Sequence, residues 1–211
     1  MPTEDAQPIY DPSGFPLVIL ASTSPRRRML FERAGIEHMV CPGGVDDGEL
    51  NSGKVDPEQW VGSLAYYKAA SSVESLDESV PTGAVVLGAD TVCIYQGEII
   101  GQPVDREDAG RILRLMRGVS HEVLTGVAII CPETGRREIF VDRSTITLGE
   151  ITDEQIETYL DTGNWKGKAG AYNITERLAA GWAIEFVGDE SSIVGLPMTR
   201  TLDRILAFAQ N

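Results

Sequence analysis

The sequence predicts an α/β fold built on a mixed sheet, and three observations carry that prediction. Apolar runs of strand length alternate with helical segments in the first hundred residues. The middle of the chain is rich in hairpin signals, with turn residues between β-prone runs. Two long β candidates, His121 to Cys131 and Glu138 to Leu148, face each other across the turn Pro132-Glu-Thr-Gly135 and demand antiparallel pairing beside the parallel strands of the first part.

Each element has its own reason. Met1 to Pro16 holds four prolines and no periodicity, and reads as a flexible extension ahead of one domain over 17–211. Leu17 to Ala21 is a buried strand, and Pro25 opens a helix that should end near Ala34 with Gly35 behind it. Ser24 is placed as its N-cap. His38 to Cys41 is a short strand, and Pro42 to Gly53 is a glycine-rich loop carrying Asp46, Asp47 and Glu49. Asp56-Pro57-Glu58-Gln59 starts a helix to about Ser75. Ala84 to Leu87 reads as a second buried strand, ending at Gly88-Ala89-Asp90-Thr91. Val92 to Tyr95 and Glu98 to Ile100 form a hairpin about Gln96-Gly97. Asp105 caps a helix to Arg117, with Ala109, Ile112, Leu113 and Met116 at helical spacing. Thr152-Asp-Glu-Gln155 is a capping box opening a helix to about Leu160. Gly163 to Tyr172 is a loop, Ala183 to Val187 a strand, and Pro197 to Ala209 a closing helix.

Composition excludes several partners. Against 32 Asp and Glu stand 18 Lys and Arg, a net charge of −14 that repels nucleic-acid backbones and anionic membranes. A small polyanion could enter only where local cations reverse the sign. Cys41, Cys93 and Cys131 are odd in number and lack a Cys-x-x-Cys pair, so reduced core thiols are expected. The N-terminus lacks the basic flank and apolar run of a signal peptide, and no stretch could span a bilayer, so the cytoplasm is the expected compartment.

The chemistry concentrates at two places. After the first strand come Ser22-Thr23-Ser24-Pro25 and then Arg26, Arg27 and Arg28, three cations at the positive end of a helix. That arrangement costs stability unless an anion joins it, and hydroxyls, N–H groups and guanidinium forks suit phosphate oxygens. Arg28 has an alternative partner in Glu32 at i,i+4. Asp90 is the second place. Following an apolar strand and a Gly-Ala pair, it could hold a divalent cation or take a proton from water at a strand's C-terminal end, and it could equally cap a turn. His121 reads as a structural histidine at a strand start.

Leu20-Ala-Ser-Thr-Ser-Pro-Arg-Arg27 resembles the opening motif of the Maf family of nucleoside triphosphate pyrophosphatases. Leu87-Gly-Ala-Asp-Thr91, Thr125-Gly126, Lys168-Ala-Gly-Ala-Tyr172 and Val194-Gly-Leu-Pro197 resemble later family motifs, in the family's order. The resemblance implies a long twisted mixed sheet flanked by helices, in two lobes with a central cleft. It implies water attack on the α-phosphorus of a nucleoside triphosphate, releasing a monophosphate and pyrophosphate. On it, Asp90 is the catalytic carboxylate, Asp90 and Asp47 would hold Mg²⁺ or Mn²⁺, and Ser22, Arg26, Arg27, Lys68 and Lys168 would grip phosphates. Arg26 and Thr91 match the branch acting on dTTP and UTP, whereas Thr175 departs from that branch's glutamine and Gln102 from a common lysine. Two rival readings stay open: a purine-directed pyrophosphatase of the inosine triphosphate type, and a nucleotide sensor in division control without turnover. A homodimer is compatible with the sequence, which leaves oligomeric state open.

Overall fold

The computed structural model describes residues 11–44 and 52–209. Its strands are β1 (Val18–Leu20), β2 (His38–Val40), β3 (Val85–Tyr95), β4 (Glu98–Ile100), β5 (Val119–Ile130), β6 (Arg137–Leu148) and β7 (Ile184–Val187). Its helices are α1 (Pro25–Ala34), α2 (Pro57–Glu74), α3 (Arg106–Met116), α4 (Asp153–Asp161), α5 (Ile174–Ala179), α6 (Glu190–Val194) and α7 (Met198–Ala209). The seven strands form one mixed sheet in the order β2-β1-β3-β5-β6-β7, with β4 also on β3. β1 runs parallel to both its neighbours, and the other pairs are antiparallel.

The two long hairpin strands behave as their residue types demand, pairing from Val119↔Leu148 to Ile130↔Arg137. Gly35 ends α1 with φ 68°, and Asp56 and Thr152 cap α2 and α4 through their side chains. All four apolar positions singled out on α3 are buried. The short helices α5 and α6 went unanticipated, because each is five or six residues long and too brief for a periodic signal.

One expectation is corrected. Gly88 to Thr91 is no turn between two strands: β3 runs unbroken from Val85 to Tyr95, and Asp90 sits in mid-strand opposite Gly126. The glycines serve packing rather than bending. A Cβ at Gly88 would lie 2.1 Å from the Ala65 carbonyl oxygen, and one at Gly126 would lie 2.4 Å from that of Val61, so α2 rests directly on the backbone of β3 and β5.

Side-chain alternation sorts the core by face. Val86, Ala128 and Ile130 pack with Ala65 and Ala69 under α2. On the opposite face, Val85, Leu87, Ala89, Val127 and Ile129 meet Phe31 of α1 and Leu202 and Ile205 of α7. Further along that same face, Cys93 joins a second cluster with Ile112 and Met116 of α3, Ile156 and Tyr159 of α4, Trp165 and Trp182. Two apolar clusters thus stand at the two ends of one sheet face, and the space between them is the cleft. Phe15 packs against the first cluster, behind a single 3₁₀ turn at Pro12–Gly14. No helix among the described residues is long and apolar enough to cross a membrane.

Candidate active site

The cleft lies where the sheet is incomplete. β5 covers one edge of β3 over Val86–Ile94, so β1 and β4 must share the other edge. β1 covers it only at Val85–Leu87 and β4 only at Cys93–Tyr95, leaving 88–92 without a strand neighbour there. A cavity of about 440 Å³ fills this window, lined from both faces of β3 by Asp90 and Thr91 and by Ser22, Arg26, Lys68 and Lys168, among others.

Chain direction explains who arrives. β1 delivers Ser22 to the cavity from its C-terminal end. Ser24 makes no side-chain cap on α1, contrary to expectation; Ser22 Oγ takes the Ser24 N–H instead, at 3.2 Å. Ser24 thus leaves the first-turn N–H groups of α1 without its side-chain cap, the kind of end that suits an anion.

The two arginines then separate. Arg27 is buried and built into the framework: it donates from Nε to the Gly195 carbonyl at 2.8 Å, from Nη1 to Ser22 Oγ at 3.2 Å and from Nη2 to Thr91 Oγ1 at 3.2 Å. Thr91 Oγ1 lies 3.0 Å from Thr125 Oγ1, which donates to the Ser192 carbonyl at 2.8 Å. Because the Thr125 proton is used there, Thr91 must donate to Thr125 and accept from Arg27. Arg26 reaches across the cleft to the Gly167 carbonyl at 3.3 Å. Arg28 takes the surface pairing with Glu32, at 3.9 Å between half-exposed groups.

Lys68 and Asp90 meet directly, with Nζ 2.7 Å from Oδ1 and both side chains mostly buried. The residues lie twenty-two positions apart, and α2 brings them together by its close seat on Gly88. Asp90 Oδ2 has no hydrogen-bond partner among the described residues and is left for a ligand in the cavity. Lys168 lines the cavity while paired to Glu176 on α5 at 2.6 Å. Its loop is held in left-handed backbone at Gly167, Gly170 and Ala171, the last a strained choice for a non-glycine residue.

His121 and Tyr172 also line the cavity, ring nitrogen Nε2 to hydroxyl at 2.9 Å. Burial pushes the His121 pKa down to about 4, against a smaller pull from the backbone of Val119, so the imidazole is neutral near pH 7. Tyr172 is pushed up by burial. Val123, Ile146 and Ile174 add an apolar lining.

Gln102 lines the cavity as well, but Thr175 does not: it is exposed on α5. The residue two places earlier, Asn173, lines it instead and was not anticipated. Asp46, Asp47 and Glu49 lie outside the described residues, and among those described no group of three His, Cys, Asp or Glu could hold a metal. The cysteines are all free; Cys93 is buried, its thiol pushed up to about 12 by burial, whereas Cys41 and Cys131 are only half-buried.

Comparison with known proteins gives the family. A family profile described as Maf-like protein matches residues 17–208. A dTTP/UTP pyrophosphatase of Geobacillus sp. (strain WCH70) is 39% identical over 188 residues, 89% of this chain and 96% of that protein. A dTTP/UTP pyrophosphatase of Pelotomaculum thermopropionicum is 35% identical, across 92% of this chain and 97% of that one. A solved dITP/XTP pyrophosphatase from Mycobacterium abscessus superposes with TM-score 0.40 and 14% identity over 64% of this chain and 75% of its own, a likeness too distant to build on.

Proposed function

The chain belongs to the Maf-like protein family, and from that premise we propose that it is a metal-dependent nucleoside triphosphate pyrophosphatase acting on dTTP and UTP. The observation that carries the reading is the Lys68–Asp90 pair placed in one cavity with Arg26, Lys168 and the uncapped start of α1. A polyphosphate needs cations along its length and a carboxylate at the reacting phosphorus, and this cavity brings both to the window in the sheet. Identity of 35–39% to enzymes named for dTTP and UTP supports pyrimidine substrates over the purine alternative.

The donor set suits Mg²⁺ or Mn²⁺. Asp90 Oδ2 and the neighbouring hydroxyls are hard oxygen donors, and Mg²⁺ commonly rests on one or two carboxylates plus substrate phosphates. Asp90 would hold the ion, with Asp47 as the second carboxylate we assign to it. When bound, such an ion neutralises phosphate charge and acidifies water. Lys68 orients the Asp90 carboxylate by its 2.7 Å bond, and Arg26 and Lys168 bind phosphate oxygens at the mouth. Water adds through its oxygen to the α-phosphorus and gives up a proton to a carboxylate or solvent, the bond from that phosphorus to the bridging oxygen breaks, and pyrophosphate leaves with the bridging oxygen and its electron pair. The cytoplasm, where nucleoside triphosphates are abundant, suits this activity.

The test is pyrophosphate release from a panel of dTTP, UTP, CTP, GTP and ITP, with and without chelator. Release from dTTP and UTP that stops in chelator and returns with Mg²⁺ or Mn²⁺ is expected. Tight nucleotide binding without pyrophosphate release would favour a sensor instead.

A further inference from the structure

We propose that Asn173 is a specificity-determining residue, whose side-chain amino group donates a hydrogen bond to the C4 keto oxygen of thymine or uracil. The inference rests on the pyrimidine triphosphate reading above.

The side chain is oriented by a cap. Asn173 is the N-cap of α5, and its amide oxygen accepts the Glu176 N–H at 3.0 Å. That bond decides which end of the amide is oxygen and turns the amino group the other way. The amino group has no hydrogen-bond partner among the described residues, although Asn173 is only 9% exposed. It is not sealed in, however: the buried side-chain atoms that lack partners are His121 Nδ1, Arg177 Nε, Ser192 Oγ and Thr201 Oγ1, among the described residues. Asn173 lines the active-site cavity, so that is where its amino group opens.

The flanking residues pin it. Tyr172 bonds to His121, and Ile174 packs with Val123 and Ile146, so the backbone on both sides of Asn173 is tied to one region of the sheet. That region can be placed by register. Thr91 and Thr125 pair beside Arg27, at the phosphate end, and His121 lies four residues further along β5 on the same face. Four residues of strand span about 13 Å, comparable to a nucleoside monophosphate laid along the face. Asp90 adjoins Thr91 at the open window from the other face of β3, so a nucleotide whose α-phosphate sits in that window and whose base lies along the His121 face brings the far edge of its base to Asn173. In a pyrimidine the far edge is N3–C4, away from the sugar. Thymine and uracil present a keto oxygen at C4, an acceptor that matches the amino group; cytosine presents an amino group there, a donor facing a donor. The remaining wall, Val123, Ile146 and Ile174, is apolar and suits the ring face.

The experiment measures kcat/KM for dTTP, UTP and CTP, together with hydrolysis of inorganic tripolyphosphate and thermal melting. Wild-type protein is compared with Asn173→Asp and Asn173→Ser, both of which keep an N-cap oxygen and so preserve α5. The expected result is a UTP-to-CTP ratio well above one in the wild type. Both variants should lower it by about tenfold or more, with tripolyphosphate hydrolysis and melting temperature little changed. Equal use of UTP and CTP by the wild type, or an unmoved ratio in both variants, would overturn the role of Asn173 while leaving the enzyme reading in place. Absence of pyrophosphate release from every triphosphate by the wild type would remove both.

Discussion

Arg26 and Arg27 are neighbours with the same side chain and both line the cleft, yet only Arg27 is also tied into its frame. Three bonds tie Arg27 to Ser22, Thr91 and the Gly195 carbonyl, joining β1, β3 and the end of α6. Each charge-assisted bond contributes about 1.5 to 3 kcal/mol. Arg27→Ala loses all three and should therefore lower the melting temperature by at least roughly 9 °C, using about 2 to 4 °C per kcal/mol for a chain of this size. Arg26→Ala should leave melting unchanged and lower kcat/KM about 10- to 100-fold on all triphosphates. Calorimetry and steady-state kinetics on both variants check this; equal melting temperatures would refute the framework role of Arg27. Asp90→Asn should stay folded and lose at least about 10²-fold in kcat, as expected for a lost acid–base or ligand group. Ser22, Arg26 and Asp90 were singled out for their chemistry and Lys68, Thr91 and Lys168 through the family resemblance, and all six line the cavity. What could not be read was the difference between two adjacent arginines. That difference is set by what surrounds position 27, a carbonyl 168 residues away among them.

At the scale of elements, the seat of α2 on β3 and β5 decides whether Lys68 reaches Asp90. The contact depends on bare backbone at Gly88 and Gly126. Gly88→Ala would press a methyl group into the Ala65 carbonyl, and neither partner can yield without moving the helix. It should cost about 1 to 3 kcal/mol or more, visible as a lower urea midpoint, and it should weaken activity in proportion to the displaced Lys68. Gly44→Ala, with open space around it, should change stability by no more than about 0.5 kcal/mol. These glycines also mark where sequence reasoning failed. Gly88-Ala89-Asp90 looks like a turn because glycine breaks strands as readily as it admits close packing, and nothing local distinguishes the two. The caps, the long hairpin and α3 were legible because their signals are local: Asp56, Thr152 and Gly35 act within a few residues of themselves. A partner helix about twenty to sixty-five residues away leaves no such mark.

For the molecule as a whole, net charge and pH act on the same fold. The chain carries a surplus of acidic side chains while its cleft is lined with arginine and lysine, so a polyanionic ligand would be drawn in by the site against the field of the remainder. His121 couples stability to pH. Its folded pKa of about 4 lies below the ordinary 6.5, so the unfolded chain binds the extra proton first as pH falls. Stability is thus fully present above about pH 6.5 and lost between there and pH 4, by roughly 3 kcal/mol. His121→Gln should flatten the dependence of unfolding free energy over that interval; an unchanged slope would show that other groups carry it. The window in the sheet has a consequence of a different kind, in the time domain. The Val85 N–H and Leu87 carbonyl bond toward β1, so the backbone groups of Ala89 and Thr91 point the same way, into the gap, while those of Asp90 point to β5. Amide hydrogens should consequently alternate along one central strand: quick to exchange with heavy water at Ala89 and Thr91, slow at Asp90 and Val92. A nucleotide seated in the gap would slow the quick pair, giving each substrate a signature readable without any turnover.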